Sequence, residues 1–254
     1  MRARLGQNFL IDRNISRKII SSAEILPSET VIEIGPGKGI LTEGIAKFAK
    51  NVIAVEIDRS LAENLSKKFV DNRKIRIIKN NFLEWTPDKK NKMKFVANLP
   101  YNVSTSIIEK ILYLNNWEIA VFMVQKEVAN RIRATAGSDD YSSLSILCQV
   151  FCKVEKLFDV PKTCFIPIPK ITSTVLKFKR LDKALVNKKN QKIFFEIVRA
   201  SFKHRRKILL NSLSMELGIK KDELKEKLMS VGISPNQRAE NISIEEFSRL
   251  VSVV

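Results

Sequence analysis

Histidine is almost missing from this chain: His204 stands alone among 254 residues, inside the basic run Lys203-His204-Arg205-Arg206-Lys207. A Ser-His-Asp triad or a histidine-rich metal centre therefore has nothing to be built from. Cysteine is scarce too. Cys148, Cys152 and Cys164 are odd in number and form no C-x-x-C pair, which speaks against a disulfide framework or a zinc site and for buried thiols. No apolar run approaches the ~18–20 residues of a membrane-spanning helix. The start, Met1-Arg2-Ala3-Arg4-Leu5-Gly6-Gln7-Asn8, lacks the apolar core and cleavage site of a secretory signal. A soluble, cytoplasmic protein with no membrane partner is the expectation.

Acidic residues are the last shortage, 27 against 45 Lys+Arg, which leaves +18 at pH 7. Such an excess is a statement about partners, and it attracts polyanions, nucleic acid first among them. The bland alternative is a solvated lysine surface. The surplus is spread along the chain, +12 over residues 1–181 and +6 over 182–254. Arg2, Arg4, Arg13, Arg17 and Lys18 concentrate it near the start and Lys203 to Lys207 again later, so two basic regions are available to one folded RNA.

What is present is a βαβ pattern. Val31–Ile34 and Val52–Ile57 are β-branched runs bounded by turn residues, with a helical stretch at 40–50 between them. Helix at 60–69, strands at 75–78 and 94–97, helix at 105–114 and strand at 119–124 continue the alternation, which predicts a parallel, doubly wound sheet. Helices follow to Ala134 and around 142–151, then a strand near 173–178. The polar stretch 180–190 reads as a linker. Beyond it the spacing is helical at 193–203, 205–217, 222–231 and 244–251, with an S-x-x-E capping box at Ser243 and Glu246 and stop signals at Gly218 and Gly232.

Glu33-Ile34-Gly35-Pro36-Gly37-Lys38-Gly39 follows the first of these strands, where a parallel sheet leaves a crevice for a nucleotide-like ligand. Its G-x-G-x-G differs from the dinucleotide fingerprint and lacks the GK[ST] ending of a P-loop. Glu56 lies 21 positions after Gly35, at the end of the next strand, where a carboxylate accepts from both ribose hydroxyls. Loop and acid together predict an adenosine-bearing cofactor, with NAD and S-adenosylmethionine both open at this point.

Asn98-Leu99-Pro100-Tyr101 ends another strand at the same sheet edge. Proline biases Leu99 towards an extended backbone, so its carbonyl can be held outward as an acceptor. The Asn98 side-chain oxygen is a second acceptor, and Tyr101 offers a ring for a base to stack on. Two acceptors on an exocyclic NH₂ fix both hydrogens and aim the lone pair at an electrophile, which is catalysis by orientation. A sulfonium methyl suits that arrangement without an imidazole, whereas nicotinamide chemistry wants an acid or base beside the loop.

With these residues, the chain resembles the small-subunit ribosomal RNA adenine-N6,N6 dimethyltransferases over nearly its whole length. The segments that carry the likeness are Gly6-Gln7-Asn8-Phe9-Leu10, Glu33 to Thr42, Asn98 to Thr105, Gln125-Lys126-Glu127-Val128, Phe165-Ile166-Pro167-Ile168-Pro169-Lys170 and Gly232 to Glu240. The resemblance implies an α/β fold: a Rossmann-like class I S-adenosylmethionine-dependent methyltransferase sheet at 1–181 and a small all-helical RNA- or ribosome-binding domain at 182–254. It implies dimethylation of N6 on two adjacent adenosines in the 3′-terminal hairpin loop of small-subunit rRNA, in the immature 30S-type particle, by a monomer that needs no metal. By the same likeness Gln7, Asn8, Leu10, Gly35, Gly37, Glu56, Ile57, Asn81, Phe82 and Asn98 line the cofactor site. Asn98 and the Leu99 carbonyl hold the target amine, next to Pro100, and Tyr101 and Phe165 sandwich the base, which must leave its stack to arrive there.

One position departs from the family pattern: an aspartate that bonds the cofactor adenine is usual where this chain has Asn81. An amide oxygen can make the same bond, so the departure bears on affinity. Three other functions compete. The sister enzymes acting on large-subunit rRNA, which confer macrolide resistance, are disfavoured by Pro36, Leu99 and Arg238-Ala239-Glu240. A DNA adenine methyltransferase is disfavoured by the Asn-Leu start of the tetrapeptide and the lack of a separate target-recognition domain. An RNA-binding assembly or transcription-associated factor that has kept the fold is disfavoured by intact Gly35, Glu56 and Asn98.

Overall fold

The computed structural model describes residues 8–88 and 92–254, so the expectations resting on Arg2, Arg4 and Gln7 lie outside the described residues. The short strand β1 (Phe9–Leu10) leads into helix α1 (Arg13–Ser22). Asp12 starts that helix by accepting from the N–H groups of Asn14 at 2.7 Å and Ile15 at 3.0 Å, donors a helix end leaves unpaired. The alternation follows as β2 (Thr30–Ile34), α2 (Ile40–Ile45), β3 (Asn51–Glu56), α3 (Arg59–Lys68), β4 (Ile75–Lys79), β5 (Met93–Asn98), α4 (Ser104–Leu112) and β6 (Trp117–Gln125). Then come α5 (Lys126–Arg133), α6 (Ser143–Phe151), β7 (Cys152–Val160), β8 (Phe165–Ile166) and β9 (Ser173–Arg180). The chain ends in α7 (Gln191–Lys203), α8 (Leu209–Leu217), α9 (Lys221–Ser230) and α10 (Ile244–Leu250).

Seven strands form one sheet in the order β4-β3-β2-β5-β6-β9-β7. β2 is parallel to both neighbours, with Ile32 opposite Ile53 on one side and Phe95 on the other. Val31, Ile32 and Ile34 are buried, as in a strand covered on both faces. The connections run outwards from β2 in opposite directions, which places a switch point, and so a crevice, at the C-terminal ends of β2 and β5. The strands of the βαβ alternation are parallel as expected, and β9 adds an antiparallel neighbour to β6, so the sheet is mixed. β1 and β8 pair apart from it, with Leu10 opposite Phe165. Against α1, α2 packs through Gly44, where a Cβ would come within 2.3 Å of Ile20 Cδ1.

The chain divides into two units: one holds everything up to Ala129 together with Lys153–Arg180, the other Asn130–Cys152 together with Leu181–Val254. The expected boundary at 181/182 thus misses that 130–152 joins the helical unit. The reason is packing: the rings of Phe151 and Phe195 stack at 5.8 Å, and Leu181 and Leu185 donate their N–H groups to the carbonyls of Phe151 and Val150. The stretch read as a linker is therefore bound down, with Val186 buried. The capping box at Ser243 and Glu246 and the left-handed Gly218 and Gly232 are present. The basic run does not continue a helix, however: Arg205, Arg206 and Lys207 are exposed on the turn between α7 and α8. All three cysteines are buried, and among the described residues no helix is long and apolar enough to cross a membrane.

Candidate active site

Beyond β2 the chain turns through Gly35, Gly37 and Gly39 with φ of 64°, 58° and 80°, a region that costs a residue with a Cβ ~1–2 kcal/mol. The Gly35 N–H donates to the Val55 carbonyl at 3.0 Å, and a Cβ on Gly37 would lie 2.9 Å from Phe9 Cδ1. The loop is thus held between β3 and β1. Glu56, at the end of β3, accepts from the N–H of Gly37 at 3.1 Å and of Asp58 at 2.9 Å, one donor to each carboxylate oxygen. A lone pair on each oxygen is left for a diol. Burial pushes the Glu56 carboxyl above its ordinary range.

Glu33, deeper under the loop, is buried and accepts from the Thr42 hydroxyl at 2.5 Å. Burial, assisted by the charge of Glu56 and opposed by the Thr42 bond, pushes its carboxyl up to about 8.

At the end of β5, Asn98 donates through Nδ2 to the Asn8 carbonyl at 3.1 Å, while its Oδ1 is buried with no hydrogen-bond partner among the described residues. An acceptor left unsatisfied costs ~1–3 kcal/mol, so this oxygen marks a place for a donor. The Leu99 N–H extends the pairing with β6 by donating to the Met123 carbonyl at 3.1 Å. Tyr101 is half-buried; its hydroxyl lies 2.8 Å from Ser173 Oγ on β9, and burial pushes the phenol up.

A cavity of about 210 Å³ opens at these strand ends, and it brings together nearly all the expected residues. Asn8, Leu10, Gly35, Gly37, Glu56 and Ile57 line one part; Asn81, Phe82, Asn98, Leu99, Pro100 and Tyr101 line the other. Phe165 is the exception and a correction: it is fully buried and not part of the lining. Pairing of β8 with β1 places Phe165 in the hydrophobic core with Leu10, Val160 and Cys164 rather than on the cavity wall. Asn81 lines the cavity and also shapes a turn, accepting from the Leu83 N–H and donating to Glu84 Oε1, both at 3.0 Å. Phe9, Glu33 and Ile107 are among the lining residues that sequence reasoning missed. The first two sit inside quoted motifs, whereas Ile107 and the Ser173 partner of Tyr101 carry no local signal.

The donor set suits an adenosine-bearing cofactor: a buried carboxylate with spare lone pairs, a glycine edge that admits close approach, and an orphan acceptor beside them. Strand order, loop and acid together define a class I methyltransferase. A family model for ribosomal RNA adenine dimethylase matches residues 1–254. The chain is 42% identical over 256 residues to "Ribosomal RNA small subunit methyltransferase A" of Clostridium perfringens, covering 98% of this chain and 89% of that one. It is 44% identical over 259 residues to the Clostridioides difficile protein of the same name, again 98% and 89%. Among solved structures it is similar to a dimethyladenosine transferase from Plasmodium falciparum, with TM-score 0.80, 26% identity and 95% of both chains covered. It is also similar to the 23S rRNA methyltransferase ErmE, with TM-score 0.73, 26% identity, and 96% and 98% covered. The chain belongs to the ribosomal RNA adenine dimethylase family.

Proposed function

We propose that this enzyme dimethylates N6 of two adjacent adenosines in the 3′-terminal hairpin loop of small-subunit rRNA, within the immature 30S-type particle, as a cytoplasmic monomer. The observation that carries the reading is Asn98 Oδ1, buried and without a partner among the described residues, in a cavity shared by the glycine loop and Tyr101. Relatives above 40% identity named for the small subunit favour that substrate over large-subunit rRNA.

Gly35, Gly37 and Glu56 would hold the ribose side of S-adenosylmethionine, and Ile57, Asn81 and Phe82 its base. Bound there, the cofactor supplies an electrophilic sulfonium methyl. Asn98 Oδ1 and the Leu99 carbonyl accept the two hydrogens of the target amine and leave its lone pair free to attack. Tyr101 stacks on the extruded adenine, its ring braced by Ser173. Neither acceptor is a base, so the proton leaves to water after methyl transfer rather than before it. His204 is not among the residues that line the cavity; it lies 2.8 Å from Glu216 Oε1.

The test is nucleoside mass spectrometry of ribosomal RNA after unmethylated small subunits are incubated with the protein and S-adenosylmethionine. Dimethyladenosine in the small-subunit rRNA is expected. Product confined to large-subunit rRNA, offered in parallel, would overturn the assignment.

A further inference from the structure

Lys110 lies near the C-terminal end of α4, outside every motif singled out in the sequence, yet its ammonium makes an unusual set of bonds. It donates to three backbone carbonyls of one short segment: Phe82 at 2.8 Å, Leu83 at 2.7 Å and Trp85 at 2.7 Å. An ammonium has three donors, so the set is used in full. The segment is a single turn closed at its start by Asn81, whose carbonyl accepts from the N–H groups of Glu84 and Trp85, both at 2.9 Å. Carbonyls at the end of such a turn converge without chain partners, and a cation there serves as a C-cap. The Phe82 ring lies 5.4 Å from the same nitrogen and packs edge-on against Phe95.

This turn is also a wall of the cavity, since Asn81, Phe82 and Leu83 line it. The other end of α4 is tied to the tetrapeptide: the Ser104 hydroxyl donates to the Tyr101 carbonyl at 3.2 Å, and Ile107, between the two ends, lines the cavity too. One helix therefore joins the loop that holds the target amine to the wall facing it.

We infer that Lys110 is a positioning residue that fixes the Asn81-Phe82-Leu83 wall and through it sets the affinity for the adenosine-bearing cofactor. This rests on the cofactor reading given above. Lys110→Met keeps the apolar stem and strands three carbonyls. Lys110→Arg keeps the charge, but its planar fork cannot focus three donors on one point.

The test is calorimetric titration of the full chain with S-adenosylhomocysteine, together with steady-state methyl transfer, on wild type, Lys110→Met, Lys110→Arg and the exposed neighbour Glu109→Gln. Loss of one or more of the three bonds predicts at least about tenfold weaker binding for Lys110→Met. KM for S-adenosylmethionine should rise in step, with kcat at saturating cofactor within about threefold of wild type. Lys110→Arg should fall between, and Glu109→Gln should match wild type. A folded Lys110→Met with unchanged Kd and KM, or with reduced kcat alone, overturns the inference. Should Lys110→Met not fold, the same readings on Lys110→Gln, which keeps two donors, decide it. If the wild-type protein itself fails to bind, the cofactor reading falls, and this inference with it.

Discussion

Asn98 and Asn8 are ninety positions apart, yet the side-chain amide of the first donates to the carbonyl of the second at 3.1 Å. That bond fixes which way the amide faces. The nitrogen is spent on the protein, and the oxygen is presented for a ligand. Replacing Asn98 with Ala should lower methyl transfer by about 10²–10³-fold, the usual loss when one group aimed at the reacting centre is removed. RNA binding, measured by filter retention, should persist. Activity within a few fold of wild type would sink the assigned role.

Gly37 meets two constraints at once, a φ of 58° and Phe9 at 2.9 Å from any Cβ. Gly37→Ala should therefore shift the loop and its N–H away from Glu56. A drop in stability of ~1–2 kcal/mol is expected in chemical denaturation, with S-adenosylhomocysteine binding weakened beyond what the lost stability explains. Normal affinity in the variant would show that the loop adapts.

For Tyr101 the ring and the hydroxyl can be separated. Tyr101→Phe loses only the 2.8 Å contact with Ser173 and should keep most of kcat/KM. Tyr101→Ala removes the stacking surface, worth ~1–3 kcal/mol per base, and should lose about 10- to 100-fold. Equal losses in the two variants would mean that the hydroxyl, not the ring, matters.

Glu33 gives a pH signature. Its carboxyl is pushed up to about 8 in the folded protein, against ~4.3 in an unfolded chain. Between those values the unfolded chain has released a proton that the folded one retains. Stability is full below the lower value and declines as pH rises towards the upper, by up to about 1.4 kcal/mol per pH unit. Thermal melts of the cofactor-free protein from pH 5 to 8 should fall more steeply for wild type than for Glu33→Gln. Parallel curves would mean the carboxylate is accommodated in its charged form.

The parts of this molecule written in short windows were legible in the sequence. β-branched runs, the glycine loop, the acid closing β3, the Asn98 tetrapeptide and the capping box at Ser243 each depend on residues within a few positions of one another. What depends on distant pairing was not. Phe165 looked like half of a sandwich, and only its register against Leu10 buries it. β7 is a strand whose sequence, Cys-Lys-Val-Glu-Lys-Leu-Phe-Asp-Val, alternates too imperfectly to announce itself. α1 was not expected, although an Asp12 cap and the spacing of Ile15, Ile19 and Ile20 are local helix signals. Lys110 could not be found this way, because its three acceptors lie 25 to 28 positions earlier on a different element.

The chain leaves the first unit at Asn130 and returns to it at Lys153, and the return supplies β7 and β9 to the sheet. Synthesis runs in one direction, so β6 leaves the ribosome well before its antiparallel neighbour exists. Until Arg180 has emerged, the buried run Ala120–Val124 has an open edge of the kind that pairs with foreign strands. A polypeptide stalled anywhere in that interval keeps that strand edge unpaired.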